Sequence, residues 1–587
     1  MIVKFNKLSQ LFSDLESTTK RLEMIDLLSN FFEELKEEGD YRDLNKIIYL
    51  LQGQLTPNIK QFPKMGLAEK MIIEALSLHS GINRKRIKEI LIKQGDIGGT
   101  AEFILSRKKK QKSLFDYDKV DEISGSSLEI LELYSELKKI ALTEGVGSHD
   151  TKLGILRGLI SKCSPLETKY VLRIITSTLR VGVQSTTIIE GLALAFTGRR
   201  DNKDFIERAY SLHPDLGEIS GILAEQGLIE IKKIDIEYGT PILSMLASRE
   251  IYTEFTNRLG VPFVAEYKLD GERLQIHKIG DTITLFSRRL LDISKQYPDV
   301  CKTIRESVKA HKVIFEGEVV AMDHFYEKML PFQVLSKRRR KFDVEDISKE
   351  IPVCLFVFDL LKFGEESFVD KSLSFRRKKL EEIIDERDEL RLVKSVLINS
   401  TEELLSFFNT ARKEGNEGIM AKSIQENSIY QAGNRGFSWL KLKSLEGGKL
   451  KDSVDLVLVG AFYGKGRRTG VLGTYIGAVY DQKIGKFVAF TRFFSGLTDE
   501  LSESLSRETA KFKVEKKPNT VICEDTPDIW FKPELVIEIT GDELTKSDKF
   551  ASLGYSMRFP VFQRIRQDKG PKDITTVQEI KELYETQ

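Results

Sequence analysis

Glu266-Tyr267-Lys268-Leu269-Asp270-Gly271-Glu272-Arg273 closes one apolar run and opens another. The run before it reads VPFVAEYKL (261–269). Asp270-Gly271 supply a turn, and RLQIHKI (273–279) and TITLFSR (282–288) follow as further β-prone runs. A lysine held at a strand end among apolar residues loses hydration, which lowers its pKa from an ordinary value of about 10.4. The neutral amine so released is a nucleophile. Arg273, two residues past the glycine, can return toward an anion that the lysine attacks. The bland alternative is a surface hairpin in which K-x-D-G-x-R is accidental. At ordinary residue usage that pattern arises by chance about once in a hundred chains of this length.

Further along, VIFEGEVVAM (313–322) and VCLFVFDLL (353–361) read as strands, with helical stretches at 371–385 and 401–414. The middle of the chain is therefore α+β with a mostly antiparallel sheet. The first 235 residues read as helices, with apolar residues at three- and four-residue spacing, as in Leu22, Ile25, Leu28 and Phe32. Turn signals interrupt them at Thr56-Pro57, Gly81, Gly95–Gly99, Gly145–Gly147 and Pro214. Beyond Gly447-Gly448, the runs DLVLVGAFYG, TYIGAVYD, KFVAFTRFF and LVIEIT alternate with turns, as in a small barrel.

With 587 residues, 41% hydrophobic and 31% charged, the composition excludes a disordered chain, a collagen and a membrane bundle. Lys plus Arg (91) nearly cancels Asp plus Glu (89), so an acidic partner must be met by local basic patches. Cys163, Cys301, Cys354 and Cys523 lie far apart without zinc-ligand or C-x-x-C spacing, and the six histidines are scattered. A disulfide scaffold and a His/Cys metal site are not expected, and a reducing compartment is. The N-terminus, MIVKFNKLSQLFSDLESTTKRLEMIDLL, carries charges every few residues and is neither a signal peptide nor a membrane span. No membrane association is expected.

The lysine octapeptide opens an ordered series: Ser287-Arg288-Arg289, Phe315-Glu316-Gly317-Glu318, Phe356-Val357-Phe358-Asp359, Glu417-Gly418-Ile419-Met420-Ala421-Lys422 and Trp439-Leu440-Lys441-Leu442-Lys443. In residues and order it resembles the covalent nucleotidyltransferases, the superfamily of DNA ligases, RNA ligases and capping enzymes. The resemblance implies that Lys268 is the catalytic lysine, adenylated by ATP. It implies nucleotide contacts at Glu266 (adenine amino group), Arg273, Arg288, Glu318, Phe358 (stacking on the purine), Arg435, Lys441 and Lys443. Glu318 and Glu417 are two hard oxygen ligands beside a phosphate and suit Mg2+ or Mn2+; a lone buried glutamate could equally be paired with an arginine. Lys441 and Lys443 alternate on one strand, so both ammonium groups point to the same face, where the resemblance implies that they would stabilise a triphosphate. Without that context they would read as a solvated strand face, and Phe358 as core.

Over nearly the whole chain the resemblance is closest to ATP-dependent DNA ligases of the archaeal and eukaryotic replicative type. Gly95-Asp96-Ile97-Gly98 and LRIITSTLRVGVQSTTIIEGLALAF (172–196) resemble signature regions of their DNA-binding domain. Pro241–Ala247 resembles the strand that opens their adenylation domain, although Leu243-Ser244 stand where Arg-Pro is common. Arg558-Phe559-Pro560-Val561-Phe562-Gln563-Arg564-Ile565-Arg566-Gln567-Asp568-Lys569 resembles their last motif, in which Arg566, Asp568 and Lys569 orient pyrophosphate; a basic barrel edge holding DNA backbone is the other reading. The implied architecture is a helical DNA-binding domain (1–235), an adenylation domain (236–445) and an OB-fold barrel (446–587). The implied activity is sealing of nicks in duplex DNA, in replication, repair and recombination, through lysyl-AMP and a DNA-adenylate. A cytoplasmic monomer is expected. Gln111, Leu114 and Phe115, after the basic run 107–110, resemble a sliding-clamp-binding peptide; a loop tucked onto the helical domain is the alternative. The basic run 337–341 could meet phosphates or simply be solvated. An RNA ligase or capping enzyme is disfavoured by the helical N-terminal third and the long last motif. A non-catalytic DNA-binding scaffold is disfavoured by the complete motif series, and an NAD-dependent ligase by the missing cysteine-ligated zinc module.

Overall fold

The computed structural model describes residues 3–39, 43–57, 59–60, 62–107, 128–338, 344–443, 453–464 and 472–586. The clamp-like peptide 111–115, residues 339–341 of the basic run and Gly447-Gly448 lie outside them. The chain packs as two compact units, Met1–Ala68 with Lys112–Lys443 and Glu69–Gln111 with Ser444–Gln587.

Helices dominate as far as Lys233, as the apolar spacing predicts. Arg21–Glu37 buries Met24, Ile25, Leu28, Phe31, Phe32 and Leu35 along one stripe. Each large apolar side chain taken from water contributes about 1.5–3 kcal/mol. Leu22 is the exception to the expected stripe: it is exposed. The Gly95–Gly99 signal is a helix-to-helix joint in the second unit. Gly95, at φ 74°, caps Arg84–Gln94, and the Asp96 carboxylate accepts from the Gly99 N–H at 3.0 Å to start Ile97–Ser106.

The middle of the chain builds two sheets. The first contains β1 (Leu246–Arg249), β2 (Phe263–Lys268), β7 (Ser395–Ile398), β8 (Gly418–Ser423) and β9 (Arg435–Leu442), in the order β1-β9-β8-β2-β7. Only the β1–β9 pair is parallel. The second is built on β3 (Glu272–Ile279), β4 (Thr282–Ser287), β5 (Lys312–Ala321) and β6 (Val353–Phe363), which pair antiparallel in the order β4-β3-β5-β6, while the short strand Leu390–Leu392 lies parallel to β6. Thus β2 and β3 are not a hairpin: Leu269-Asp270-Gly271 carries the chain from one sheet to the other. Helix Thr401–Lys413 covers the first sheet, with Tyr267 stacked on Phe407 at 5.1 Å between ring centres.

Beyond Ser453 the strands β10 (Val454–Tyr463), β11 (Leu472–Asp481), β12 (Lys486–Phe493), β13 (Val536–Thr540) and β14 (Val561–Ile565) pair in the order β14-β13-β10-β11-β12. Ser495, just past β12, bridges to Val561 at the start of β14. The Phe562 N–H donates to the Ser495 carbonyl at 2.9 Å. The sheet therefore curls into a partly closed barrel around Tyr475, Phe490, Phe493, Ile537 and Phe562.

In the first unit, Asp359 on β6 and Arg376 on helix Leu373–Ile383 form a fully buried two-point ion pair at 2.7 and 3.0 Å. Arg376 also donates to the carbonyls of Lys371 (2.6 Å) and Ser428 (3.1 Å). Arg376→Ala strands the Asp359 carboxylate, and the expected cost is about 3–5 kcal/mol in chemical denaturation; a loss under about 1 kcal/mol would contradict this account. His277 on β3 is buried. Its Nδ1 accepts from the Gly239 N–H at 3.0 Å, which leaves Nε2–H to donate to Gln275 Oε1 at 3.1 Å. Burial pushes the imidazole down to about 3, from 6.5. The unfolded chain gains a proton as pH falls below about 6.5, while the fold declines it until about 3. Stability is therefore lost across that window, by up to about 1.4 kcal/mol per pH unit. His277→Gln should flatten this acid arm by one proton, read by urea denaturation at stepped pH.

Candidate active site

The octapeptide works because it spans the joint between the sheets. A Cβ on Gly271 would collide with the Val319 carbonyl oxygen and sit 2.9 Å from Glu318 Cγ, so only glycine lets the chain pass β5 this closely. Lys268 is thereby left at the end of the first sheet and Arg273 near the start of the second. Gly418 solves the same problem opposite Lys268. It has φ 149°, and a Cβ there would strike the Leu442 carbonyl oxygen. Its predecessor Glu417 is held by its own N–H, which donates to the Lys268 carbonyl at 2.9 Å.

A cavity of about 830 Å³ opens here, lined by Glu266, Lys268, Arg273, Arg288, Glu318, Phe358, Arg435 and Lys441 among others. Eight of the nine expected nucleotide contacts therefore share one wall set. The ninth, Lys443, joins them through Glu417, whose carboxylate ion-pairs with both Lys268 and Lys443. Burial alone would raise the Glu417 carboxyl, but the Lys268 and Lys443 ammonium groups outweigh it and hold it below the ordinary carboxylate range. Lys441 shows the cationic character of this region. Burial first, then like charge from Lys443, Arg435, Lys268 and Arg288, depresses its ammonium. Such a concentration of positive charge attracts polyanions.

Glu318 makes no hydrogen bond or ion pair among the described residues. The protein packed around it pushes its carboxyl up to about 7, against the pull of Lys268 and Arg273. A half-buried carboxyl without a hydrogen-bonding partner among the described residues, close enough to Glu417 to feel its charge, fits a divalent cation.

Arg273 is placed otherwise than its sequence position suggests. Its guanidinium holds Glu316 (2.6 Å), the Met245 carbonyl (2.8 Å) and the Tyr430 hydroxyl (3.2 Å). Tyr430 in turn donates to Glu316 at 2.8 Å, and the Ser244 hydroxyl to the same carboxylate at 3.2 Å. Ser244, at the position where the sequence departs from the common Arg-Pro, thus anchors β5.

Other cavity residues carry no role in the sequence reading. Lys422 on β8 is buried, ion-paired with Glu266 at 2.6 Å, and its Nζ lies 4.9 and 4.3 Å from the Phe358 and Trp439 ring centres. A lysine inside the otherwise apolar IMAKS run was the available signal. Arg377 holds the other Glu266 oxygen at 3.3 Å, and nothing in its helical, charged stretch marks it.

In the second unit, Arg566 chelates Asp568 (2.9 and 2.7 Å) and reaches Asp455 at 3.0 Å. Lys569 also binds Asp455, at 2.6 Å. The Arg566 guanidinium holds Asp568 far below the ordinary carboxylate range. The last motif is thus a preorganised charge cluster, with Asp455 as a member that the sequence did not reveal. In the basic run, Arg338 does not face solvent: it is buried against Tyr297 and paired with Asp299 at 2.7 Å.

Family models for the ATP dependent DNA ligase domain, the DNA ligase N terminus and the ATP dependent DNA ligase C terminal region match residues 242–443, 4–193 and 468–569. The DNA ligase of Hyperthermus butylicus is 41% identical over all of this chain and 98% of its own length. That of Sulfolobus acidocaldarius is 40% identical over 100% and 98%, and that of Sulfurisphaera tokodaii 39% over 99% and 97%. A solved structure named Pmar-Lig_Pre shares the fold, with a TM-score of 0.57 at 17% identity, over 95% of this chain and 99% of that one. On these full-length matches, the chain belongs to the ATP-dependent DNA ligase family.

Proposed function

We propose that this ligase seals nicks in duplex DNA with ATP, using Lys268 as the nucleophile. The observation that carries this reading is the position of Lys268: at the sheet joint, inside a cavity ringed by cations and held by Glu417. The Lys268 Nζ, once deprotonated, attacks the α-phosphorus of ATP, and pyrophosphate leaves with the electron pair of the broken P–O bond. The DNA 5′-phosphate then takes AMP from the lysine, which regains its amine. The 3′-hydroxyl attacks that phosphate, AMP leaves, and the strand is closed. Each step is a displacement at phosphorus, so alignment and charge neutralisation carry most of the catalysis.

Within this reading Arg288, Arg435, Lys441 and Lys443 bind phosphate, and Phe358 and Glu266 hold the base. Arg273 acts chiefly by fixing Glu316 and the edge of β1. Glu318 and Glu417 would hold Mg2+ or Mn2+, which would neutralise developing phosphate charge. Arg566, Asp568 and Lys569 orient pyrophosphate. The chain works as a monomer in the cytoplasm on nicked duplex DNA, and Gln111, Leu114 and Phe115 offer a peptide to a sliding clamp. Among the described residues no helix is long and apolar enough to cross a membrane.

Lys268→Ala should lose lysyl-AMP formation and sealing from ATP altogether, since Lys268 alone of the lining lysines stands at the sheet joint against Glu417. It should still close a nick supplied already adenylated. Intact mass after ATP and Mg2+, and gel assay of both nicks, check this; sealing from ATP at the wild-type rate would refute the assignment. An adduct that discharges onto RNA ends but not onto nicked DNA would instead make the enzyme an RNA ligase.

A further inference from the structure

We propose that Phe437 and the Arg258 guanidinium lying over its ring form a docking ridge for nicked duplex DNA at the cavity mouth, where Arg258 grips a backbone phosphate. The proposal rests on the reading of this cavity as the place where a DNA 5′-phosphate meets lysyl-AMP. Phe437 belongs to β9, but the ladder with β1 breaks around it. Ala247 pairs with Gly436 and Ser248 with Leu440, so residues 437–439 have no partner on β1. The Ser248 hydroxyl donates to the Gly436 carbonyl at 3.1 Å and pins the bulge. Bulges re-aim side chains and recur beside active sites. Here the bulge turns out an aromatic ring, and Phe437 is 55% exposed. Arg435 and Trp439, two residues to either side, line the cavity, whereas Phe437 does not. The ring therefore stands on the rim, outside the space that takes the nucleotide.

A single exposed apolar side chain is ordinary; what sets Phe437 apart is the cation on it. Arg258, from helix Phe255–Leu259, places its guanidinium 4.8 Å from the ring centre. Its nearest carboxylate oxygen, on Glu250, is 3.5 Å from Nε, and Arg258 makes no hydrogen bond among the described residues. A guanidinium stacked through its face keeps its edge free, and that edge carries the N–H donors that fit a phosphate two at a time. The ring also holds the side chain in place beforehand, so less freedom is lost on binding. Arg249 is exposed and pairs in register with Lys441 on β9. Arg249, Arg258 and Arg435 thus continue the positive charge of the cavity onto its rim. A strand that brings its 5′-phosphate to Lys268 must carry neighbouring phosphates past this rim, and phosphate contacts fix the register of a duplex.

The test uses the full-length chain and reads two steps apart. Lysyl-AMP formation from ATP reports the nucleotide site. Sealing of a nick supplied already adenylated, at stepped salt, reports the DNA. Arg258→Ala should raise KM for that nick roughly tenfold or more and reduce the slope of log KM against log salt by about one. Phe437→Ala should raise KM by a similar factor, with a smaller change in slope. Arg258→Lys keeps the charge without the fork, so it should keep the slope and lose part of the affinity. Lysyl-AMP formation should match the wild type in all three. A ridge that merely braced helix Phe255–Leu259 would lower the thermal midpoint and leave KM and slope intact; that result in either alanine variant would overturn the proposal. If Phe437→Ala does not fold, the two Arg258 variants decide alone, since that side chain is half exposed. Absence of any lysyl-AMP from ATP in the wild type would instead overturn the assignment of the cavity.

Discussion

The close passage of the Gly271 backbone along β5 is the constraint on which the active site depends. The cavity needs Lys268 from one sheet and Glu318 from the other, and a single turn must carry the chain between them. A side chain at Gly271 would press on the Val319 carbonyl and on Glu318 itself. It would push apart the two groups the turn exists to bring together, Lys268 and Glu318. Once the sheets are set, the strand period of two places the rest. Glu266 and Lys268 share a face of β2, Met420 and Lys422 share a face of β8, and Trp439 and Lys441 share a face of β9.

The cavity divides its electrostatic work between two kinds of arrangement. Around Lys268 the cations outnumber their carboxylate partners, so the excess is left for phosphate. Around Glu266 the charges are matched, two carboxylates (Glu266 and Glu381) against Lys422 and Arg377, with aromatic rings alongside. An excess attracts a polyanion from solution, while a matched pair offers direction rather than net attraction.

Much of this was legible in the chain itself. Short motifs with fixed spacing singled out Lys268, Lys441, Lys443, Glu318 and Glu417, which the fold gathers at one cavity. Turn residues and apolar period separated helical, mixed and strand-rich regions. What escaped were partners that meet only through the fold. Glu316 and Tyr430 are 114 positions apart, yet they hold Arg273 together. Asp455 joins a cluster more than 110 positions away. Arg338 looked like surface because its neighbours are charged, but its acidic and aromatic partners lie about 40 residues upstream. Local pattern records which face a residue takes, and says little about what waits there.

Helix Leu373–Ile383 carries Arg376 and Arg377 side by side. The first is sealed against Asp359 and supports the scaffold; the second reaches Glu266 on the cavity wall. About 100° of helical rotation separates them, so one rigid rod serves two masters. A shift of the rod that moved Arg377 at Glu266 would also pull on the buried pair, and a repair of that pair would disturb Glu266. The Glu266 corner of the cavity is therefore mechanically yoked to the buried core, and a change tuned for one is felt by the other.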